Sequence, residues 1–238
     1  MDSKKIAIVT GASSGIGLAI SKKLISLGYT VHGIGRDFSN AKSLLESDVF
    51  TAHCLDLLDT NSLVSLVNQI DADSTVSLLV NNAGVGYYGL HESLSTDDIS
   101  TMVRTNLEVP MILTNLLLKS LKKNDGYVIN ISSHTASKAN PHGVAYGATK
   151  AGLSSFSKSL FEEERKYGLK VINIEPDMAN TNLYRSASFG PDEDIDAYLE
   201  PSEIADAVEF ALSQRNGCII TQISLEPKLN RISKKTLI

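Results

Sequence analysis

The sequence predicts an α/β domain built on a doubly wound parallel sheet of seven strands, with helices on both faces. Short β-branched apolar runs alternate with stretches in which apolar residues recur at helical spacing. Strand–helix crossovers of this kind make neighbouring strands parallel. Glycine-containing turns separate many of the segments, and 238 residues suit one large domain. We therefore expect a single domain over residues 1–238.

Each element follows from this pattern in turn. Ile6–Val9 is a buried strand, and the stretch from Ile16 to Leu27 has a helical period that ends at Gly28. The other predicted strands are Thr30–Ile34, Val49–Leu55, Val76–Val80, Tyr127–Ile131, Val171–Ile174 and Cys218–Leu225. The other predicted helices are Asn61–Ile70, Thr96–Lys122 with a bend at Pro110, Tyr146–Tyr167 and Ser202–Ser213. Residues 176–200 form a loop-rich segment.

Charge and composition exclude several function classes. The formal net charge of -5 leaves no overall basic field that would hold nucleic acid. The first apolar run is too short for a signal peptide or a membrane span, so we expect a cytoplasmic protein with small-molecule partners. Cys54 and Cys218 lie far apart and lack metal-ligand spacing, which predicts two core thiols rather than a disulfide or a metal site.

A glycine-rich turn follows the first strand. Gly11, Gly15 and Gly17 lie in TGASSGIG, between that strand and the first helix. Gly11 permits a tight turn, Gly15 leaves room for a pyrophosphate, and Gly17 lets the helix pack on the sheet. Backbone amides at the helix N-terminus would then face the two phosphates. The segment predicts a dinucleotide site.

The end of the second strand selects between the two dinucleotides in folds of this kind. A carboxylate there would accept the ribose hydroxyls of NAD, but Gly35 occupies that place and Arg36 follows it. A guanidinium can hold the additional phosphate of NADP through paired hydrogen bonds, which favours NADP over NAD. Asp37 leaves the second reading open, because a shift of register would put its carboxylate on the ribose.

A tyrosine and a lysine four residues apart open the longest predicted helix. Tyr146 and Lys150 share one face of it, and an ammonium beside a phenol is expected to lower the tyrosine pKa. Tyr146 would then serve as a general acid or base near neutral pH. Ser133 follows a predicted strand and could polarise the same substrate oxygen.

Together these motifs resemble the short-chain dehydrogenase/reductase family over nearly the whole chain. The matching segments are TGASSGIG, Asp56-Leu57, NNAG at 81–84, Asn106, Ser133, Tyr146 with Lys150, and Pro176 with Thr181. The resemblance implies a Rossmann-like fold and an NADPH-dependent interconversion of a small-molecule carbonyl and alcohol. It also implies a homodimer or homotetramer formed through the helices that contain Asn106 and Tyr146.

The resemblance implies a role for each matching residue. Tyr146 would exchange a proton with the substrate oxygen, and Ser133 would hold that oxygen. Lys150 would bind the nicotinamide ribose and lower the tyrosine pKa, while Asn106 would organise a water that links Lys150 to solvent. The residues expected to bind the cofactor are Gly11, Ser13, Ser14, Gly15, Ile16, Gly17, Arg36, Asp56, Leu57, Asn82, Ala83, Gly84, Tyr146, Lys150, Pro176, Ala179 and Thr181.

The sequence departs from the family pattern at two places. The usual Pro-Gly is Pro176-Asp177, which introduces an acidic residue beside the expected substrate. The end of the last strand, residues 223–227, lacks the Gly-Gly frequent in acyl-carrier-protein reductases. It is more similar to reductases of small hydroxy acids or serine.

Three segments are expected to form the substrate pocket, namely Val85–Leu90, His134–Val144 and Asn182–Leu199. We interpret His134 and His142 as loop residues, because they lack metal-ligand spacing. A non-catalytic NADP(H)-sensing regulatory protein is the alternative function. The four catalytic residues argue against it, since a sensor needs no proton donor. A sugar-nucleotide epimerase would need a separate substrate domain, for which the chain lacks residues.

Overall fold

The computed structural model describes residues 5–235 and contains a seven-stranded parallel sheet. The strands of the chain are β1 (Lys5–Thr10), β2 (Tyr29–Gly35), β3 (Phe50–Cys54), β4 (Val76–Asn81), β5 (Tyr127–Ile131), β6 (Lys170–Pro176), β7 (Phe189–Pro191), β8 (Gln222–Leu225) and β9 (Ile232–Lys234). The main sheet has the order β3-β2-β1-β4-β5-β6-β8. The strand order therefore reverses between β1 and β4, the point where ligands bind in such sheets.

Helices cover both faces of the sheet. They are α1 (Gly15–Ser26), α2 (Lys42–Leu45), α3 (Thr60–Ile70), α4 (Thr96–Val103), α5 (Val109–Lys123), α6 (Val144–Glu164) and α7 (Pro201–Leu212). Leu24 of α1 and Ile204 of α7 belong to one buried apolar cluster. Leu63 of α3 and Leu117 of α5 belong to a second. The predicted doubly wound α/β fold is confirmed.

The first crossover agrees closely with the sequence pattern. Helix α1 ends at Ser26, and Gly28 has a φ of +85°, the left-handed conformation that commonly follows a helix end. Burial falls on the residues that recur at helical spacing, among them Ile20 and Leu24. After this short connection, β2 pairs with β1 along the whole length of β1, from Lys5 opposite Tyr29 to Thr10 opposite Ile34.

The predicted helix from Thr96 to Lys122 is interrupted earlier than expected. A π-helical turn, Arg104–Glu108, separates α4 from α5, whereas the sequence predicts a bend at Pro110. Proline has no N–H for the carbonyl of Asn106 four residues earlier. The neighbouring Val109 N–H donates to the Arg104 carbonyl five residues before it. The proline thus accompanies a local widening of the turn that precedes it, and Asn106 lies within that turn.

Three other predictions are corrected at the edges of the fold. Cys54 and Cys218 are free and exposed rather than buried. Cys54 ends the edge strand β3, and the Cys218 N–H donates to the Arg215 carbonyl in a turn. The predicted strand Cys218–Leu225 begins only at Gln222. The short α2 and the antiparallel pair β7–β9 are not predicted by the sequence.

Candidate active site

A cleft runs across the carboxyl ends of the parallel strands, beside the point where their order reverses. Of the residues predicted to bind a cofactor, those in its wall are Gly11, Ser13, Ser14, Gly15, Ile16, Arg36, Asp56, Leu57, Asn82, Ala83, Gly84, Tyr146, Lys150, Pro176, Ala179 and Thr181. Ser133 lies in the same wall. Gly17 and Asn106 are buried behind it.

The turn between β1 and α1 leaves helix amides available to a ligand. Gly11 and Gly15 have φ angles of +67° and +52°, which glycine adopts without strain. The N-cap residue Ser14 makes no side-chain capping bond, so no hydroxyl satisfies the first amides of α1. A helix N-terminus of this kind suits an anionic group such as a pyrophosphate.

Gly17 packs closely against this turn. A Cβ at Gly17 would lie 2.2 Å from the Gly11 carbonyl oxygen and 2.5 Å from the Asn82 amide nitrogen. The Asn82 amide donates to the carbonyl of Thr10 at 2.9 Å. Gly17 therefore allows α1 and the end of β4 to meet at the turn, in agreement with the packing role that the sequence predicts.

Thr10 is a structural partner that the sequence analysis does not single out. Its hydroxyl accepts hydrogen bonds from the N–H groups of Asn82 and Ala83, each at 3.0 Å, and it lies 3.4 Å from the Val80 carbonyl. These bonds tie the end of β1 to the residues after β4. The signal was a hydroxyl residue as the last position of the first strand, directly before Gly11.

The two candidates for cofactor selection follow β2, near the other end of the cleft. Arg36 is exposed and lies in the cleft wall next to Gly35, where a Cβ would be 3.1 Å from the Ser13 hydroxyl. Asp37 does not line the cleft. Its carboxylate accepts hydrogen bonds from the Ser39 N–H and hydroxyl, and these bonds lower its pKa. This arrangement favours Arg36 as the residue that meets the ligand.

Three side chains converge in the cleft beyond the glycine turn, namely those of Ser133, Tyr146 and Lys150. Tyr146 and Lys150 lie on the first turns of α6, and the Ser133 hydroxyl lies close enough to the Tyr146 phenol to act on its pKa as a hydrogen-bond partner. The Lys150 ammonium donates to the Ile131 carbonyl at 2.8 Å and lies 5.8 Å from the centre of the Tyr146 ring. All three residues are buried. A proton donor, a hydroxyl and a cation therefore share one pocket.

The pKa of Tyr146 differs from the sequence prediction. Burial raises it to about 12, although the hydrogen bond with Ser133 acts in the opposite direction. Burial also lowers the pKa of Lys150 to about 8. The sequence predicts that Lys150 lowers the pKa of Tyr146, and this prediction is wrong. Desolvation of the buried phenol raises the pKa and is the larger effect.

Asn106 connects the π-helical turn to the surrounding segments. Its amide nitrogen donates to the Val85 carbonyl at 2.9 Å and to the Thr149 hydroxyl at 3.1 Å, and its oxygen accepts from the Val85 N–H. A Cβ at Gly84 would be 3.5 Å from both the Asn106 oxygen and the Lys150 nitrogen. The side chain thus fastens the segment after β4 to α6 beside Lys150, and its predicted role with a water stays a prediction.

The segment after β6 forms the cleft wall next to the glycine turn. A Cβ at Gly15 would lie 3.2 Å from the Thr181 methyl carbon, so Thr181 approaches the glycine turn directly. Ala179 forms an isolated bridge with Leu199. Asp177 is half-buried in the cleft wall, and its N–H donates to the Leu225 carbonyl at 2.9 Å. The departure from the family pattern therefore places a carboxylate in this wall.

A cluster of aromatic side chains lies beside Tyr146. The Tyr88 ring lies 5.6 Å from that of Tyr146, 5.9 Å from that of Tyr184 and 5.1 Å from that of Phe189. Burial raises the pKa of Tyr88 and of Tyr184. Two of the three predicted substrate segments, 85–90 and 182–199, thus meet next to Tyr146. The wall also includes Thr101 and Thr105, which the sequence analysis misses.

The shifted lysine predicts a pH-dependent stability. Because the pKa of Lys150 is about 8 in the fold against 10.5 ordinarily, the unfolded chain binds more protons than the native one between these values. The free energy of unfolding should therefore rise from pH 8 to pH 10, by about 2–3 kcal/mol relative to Lys150→Met. Urea denaturation at several pH values measures this.

A matched control lies two turns further along the same helix. Lys158 is exposed, so Lys158→Met should differ from the parent protein by a constant amount at every pH. Parallel stability curves for the parent and Lys150→Met would contradict the prediction.

A comparison with protein families gives one match that covers most of the chain. A family model described as short chain dehydrogenase matches residues 5–190. An uncharacterized oxidoreductase of Staphylococcus epidermidis is 30% identical over 230 residues, which cover 94% of this chain and 97% of that protein. A 3-oxoacyl-[acyl-carrier-protein] reductase of Salmonella typhimurium is 33% identical over 213 residues, which cover 87% of this chain and 86% of that protein.

Solved structures share the same fold. An alcohol dehydrogenase from Thermococcus sibiricus, complexed with 5-hydroxy-NADP, has a TM-score of 0.86 and 25% identity, with 96% of this chain and 98% of that chain covered. A metagenomic short-chain oxidoreductase in complex with NADP has a TM-score of 0.80 and 28% identity, with 95% and 99% covered. Among residues 5–235, no helix has the length and apolarity needed to cross a membrane.

Proposed function

The chain belongs to the short-chain dehydrogenase family of oxidoreductases, and on this premise we propose that it is an NADPH-dependent reductase of small-molecule carbonyls. The observation that carries the proposal is the convergence of Ser133, Tyr146 and Lys150 in the cleft that contains the glycine turn. Similar proteins are described in complex with NADP or with NADH, so a nicotinamide cofactor is common to them.

The residues of the cleft fit such a cofactor. The turn after β1 offers uncapped helix amides for phosphates, and Gly11 and Gly17 allow the close backbone packing that holds this turn against the residues after β4. Arg36 is exposed in the cleft wall and would meet an additional phosphate at the adenosine end. Lys150, Asn82 and Thr181 would hold the nicotinamide half of the molecule. When bound, NADPH supplies the hydride.

Side chains of the protein would supply the proton that the substrate oxygen takes up. With its pKa near 12, the Tyr146 phenol is protonated at neutral pH and can donate to a substrate carbonyl oxygen. The Ser133 hydroxyl lies beside that phenol and would orient the same oxygen. The buried Lys150 ammonium offsets negative charge that develops on the phenol. These roles supply the proton that carbonyl reduction consumes at neutral pH.

A turnover assay with a substrate panel tests the proposal. Purified protein should oxidise NADPH steadily in the presence of at least one member of a series of dicarbonyls and keto acids. A protein that binds NADPH but reduces none of these compounds would instead fit the non-catalytic sensor. The panel also examines the predicted resemblance to reductases of small hydroxy acids.

Arg36 is expected to determine the preference for NADPH. Arg36→Ala should lower kcat/KM for NADPH by about 10–100-fold and leave that for NADH nearly unchanged, because a charge-assisted contact to the additional phosphate is lost. Steady-state kinetics with both cofactors measure the change. Asp37→Asn is the control, since its carboxylate faces Ser39, and it should affect neither cofactor. An equal loss for NADPH and NADH in Arg36→Ala would remove the assignment.

A further inference from the structure

Three side chains able to ligate a metal meet at the ends of β5, β6 and β8. His134 is the third residue after β5, Asp177 follows β6 directly, and Glu226 follows β8 directly. These strands are neighbours in the sheet, with Pro176 opposite Leu225. The hydrogen bond from the Asp177 N–H to the Leu225 carbonyl fixes the two acidic residues side by side. The convergence is therefore a product of the sheet, although the three residues are distant in sequence.

The separations of these groups suit a cation between them. One ligand atom from each residue lies within 4.8 Å of the other two, and the His134 Nδ1 is 3.5 Å from the Glu226 Oε1. Two nitrogen or oxygen ligands of one ion, each about 2.0–2.2 Å from it, are roughly 3–4 Å apart. Because the Glu226 side chain is 53% exposed, a small rotation can complete such a site.

Two of the three groups keep polar atoms that have no hydrogen-bond partner in the part of the chain that is described, although the His134 Nδ1 meets Glu226. The His134 side chain is only 12% exposed, and its buried Nε2 has no hydrogen-bond partner within residues 5–235. Among the same residues, no hydrogen bond or ion pair engages the half-buried Asp177 carboxylate. The Lys138 ammonium lies 3.9 Å from Glu226 but is 59% exposed, so it can turn to solvent. Buried polar atoms in native proteins usually have a partner, which can be an ordered water or an ion.

We propose that His134, Asp177 and Glu226 bind a divalent transition-metal ion at the edge of the cleft. One imidazole and two carboxylates form a ligand set that suits Mn²⁺ or Zn²⁺. The sequence interpretation of His134 as a plain loop residue would then be incomplete. Since Asp177 lies in the cleft wall, open coordination positions would face the substrate side. There the ion would offset two negative charges and could accept an oxygen ligand from a small molecule.

The test is a direct measurement of Mn²⁺ binding by the whole protein, without substrate. Mn²⁺ is the probe because the exposed thiols Cys54 and Cys218 prefer softer metals such as Zn²⁺. The electron paramagnetic resonance signal of free Mn²⁺ in a non-chelating buffer reports the bound fraction. We expect one tight site for each chain, weakened by about tenfold or more in His134→Ala and in Asp177→Asn.

Controls separate this site from other surface groups. His91→Ala and Glu193→Gln change exposed residues elsewhere and should retain the parent affinity. Circular dichroism and NADPH binding on the same samples verify that each variant is folded. Absence of stoichiometric Mn²⁺ binding, or equal binding by the variant with all three ligands replaced, would overturn the proposal. Because NADPH turnover is assayed separately, failure here leaves the proposed reaction intact, and the reverse also holds.

Discussion

Tyr146→Phe is expected to lower the rate of NADPH-dependent reduction by about 10²–10⁴-fold, the usual contribution of a positioned proton donor. The change removes only the hydroxyl, and the ring can keep its packing 5.6 Å from that of Tyr88. Ser133 cannot replace the lost donor, since a serine hydroxyl is a far weaker acid than a phenol. Steady-state assays with the best carbonyl of the panel measure the loss.

Two further measurements make this result specific to the proton. Binding of NADPH, followed by its fluorescence, should change little in Tyr146→Phe, because the glycine turn, Arg36 and Lys150 are unchanged and are expected to make most of the contacts to the cofactor. Tyr88→Phe, which removes a hydroxyl from the adjoining ring, should cost far less activity. A rate for Tyr146→Phe within tenfold of the parent would mean that another group donates the proton, and the proposed chemistry would fail.

Gly17→Ala is expected to damage the phosphate turn severely. The added Cβ would lie 2.2 Å from the backbone oxygen of Gly11, so α1 or the turn must move. Overpacking of this kind costs about 1–3 kcal/mol of unfolding free energy. Since the shifted turn also carries the phosphate-facing amides, NADPH affinity should fall by about 10–100-fold. Urea denaturation and a fluorescence titration provide the two values.

A second helical glycine offers the matched control. A Cβ at Gly147 would meet its nearest neighbours, Asn140 and Thr135, at 3.5 Å, an ordinary contact distance. Gly147→Ala should therefore be neutral or slightly stabilising, because alanine favours the helix. If Gly17→Ala binds NADPH as tightly as the parent, the glycine is not needed for the geometry of the turn.

Much of the fold could be predicted because its signals are local. The β-branched runs are buried on both faces of the sheet, as Val31 and Ile34 of β2 show. Runs of this kind predict central strands. Gly28 marks the end of α1 through a backbone conformation that favours glycine. The glycine turn and the Tyr146–Lys150 pair are likewise short-range patterns, and they lie where a parallel sheet puts its ligand.

What sequence could not supply depends on burial and on tertiary neighbours. The pKa of Tyr146 follows from its desolvation, which no four-residue spacing reveals. Cys54 is exposed because β3 is an edge strand. The sequence does not reveal the order of the strands in the sheet. His134, Asp177 and Glu226 become neighbours only after three strands are aligned. The single domain over residues 1–238, the cytoplasmic location and the homodimer or homotetramer stay predictions.

The small antiparallel pair has a consequence for access to the catalytic centre. Strands β7 and β9 join through only three residue pairs, and Phe189 of β7 lies against Tyr88 and Tyr184. A two-stranded ribbon of this size is marginally stable by itself. Its unzipping would release the aromatic wall without disturbing the main sheet. We therefore expect the pairing of β7 with β9 to limit how fast bulky compounds enter and leave the site.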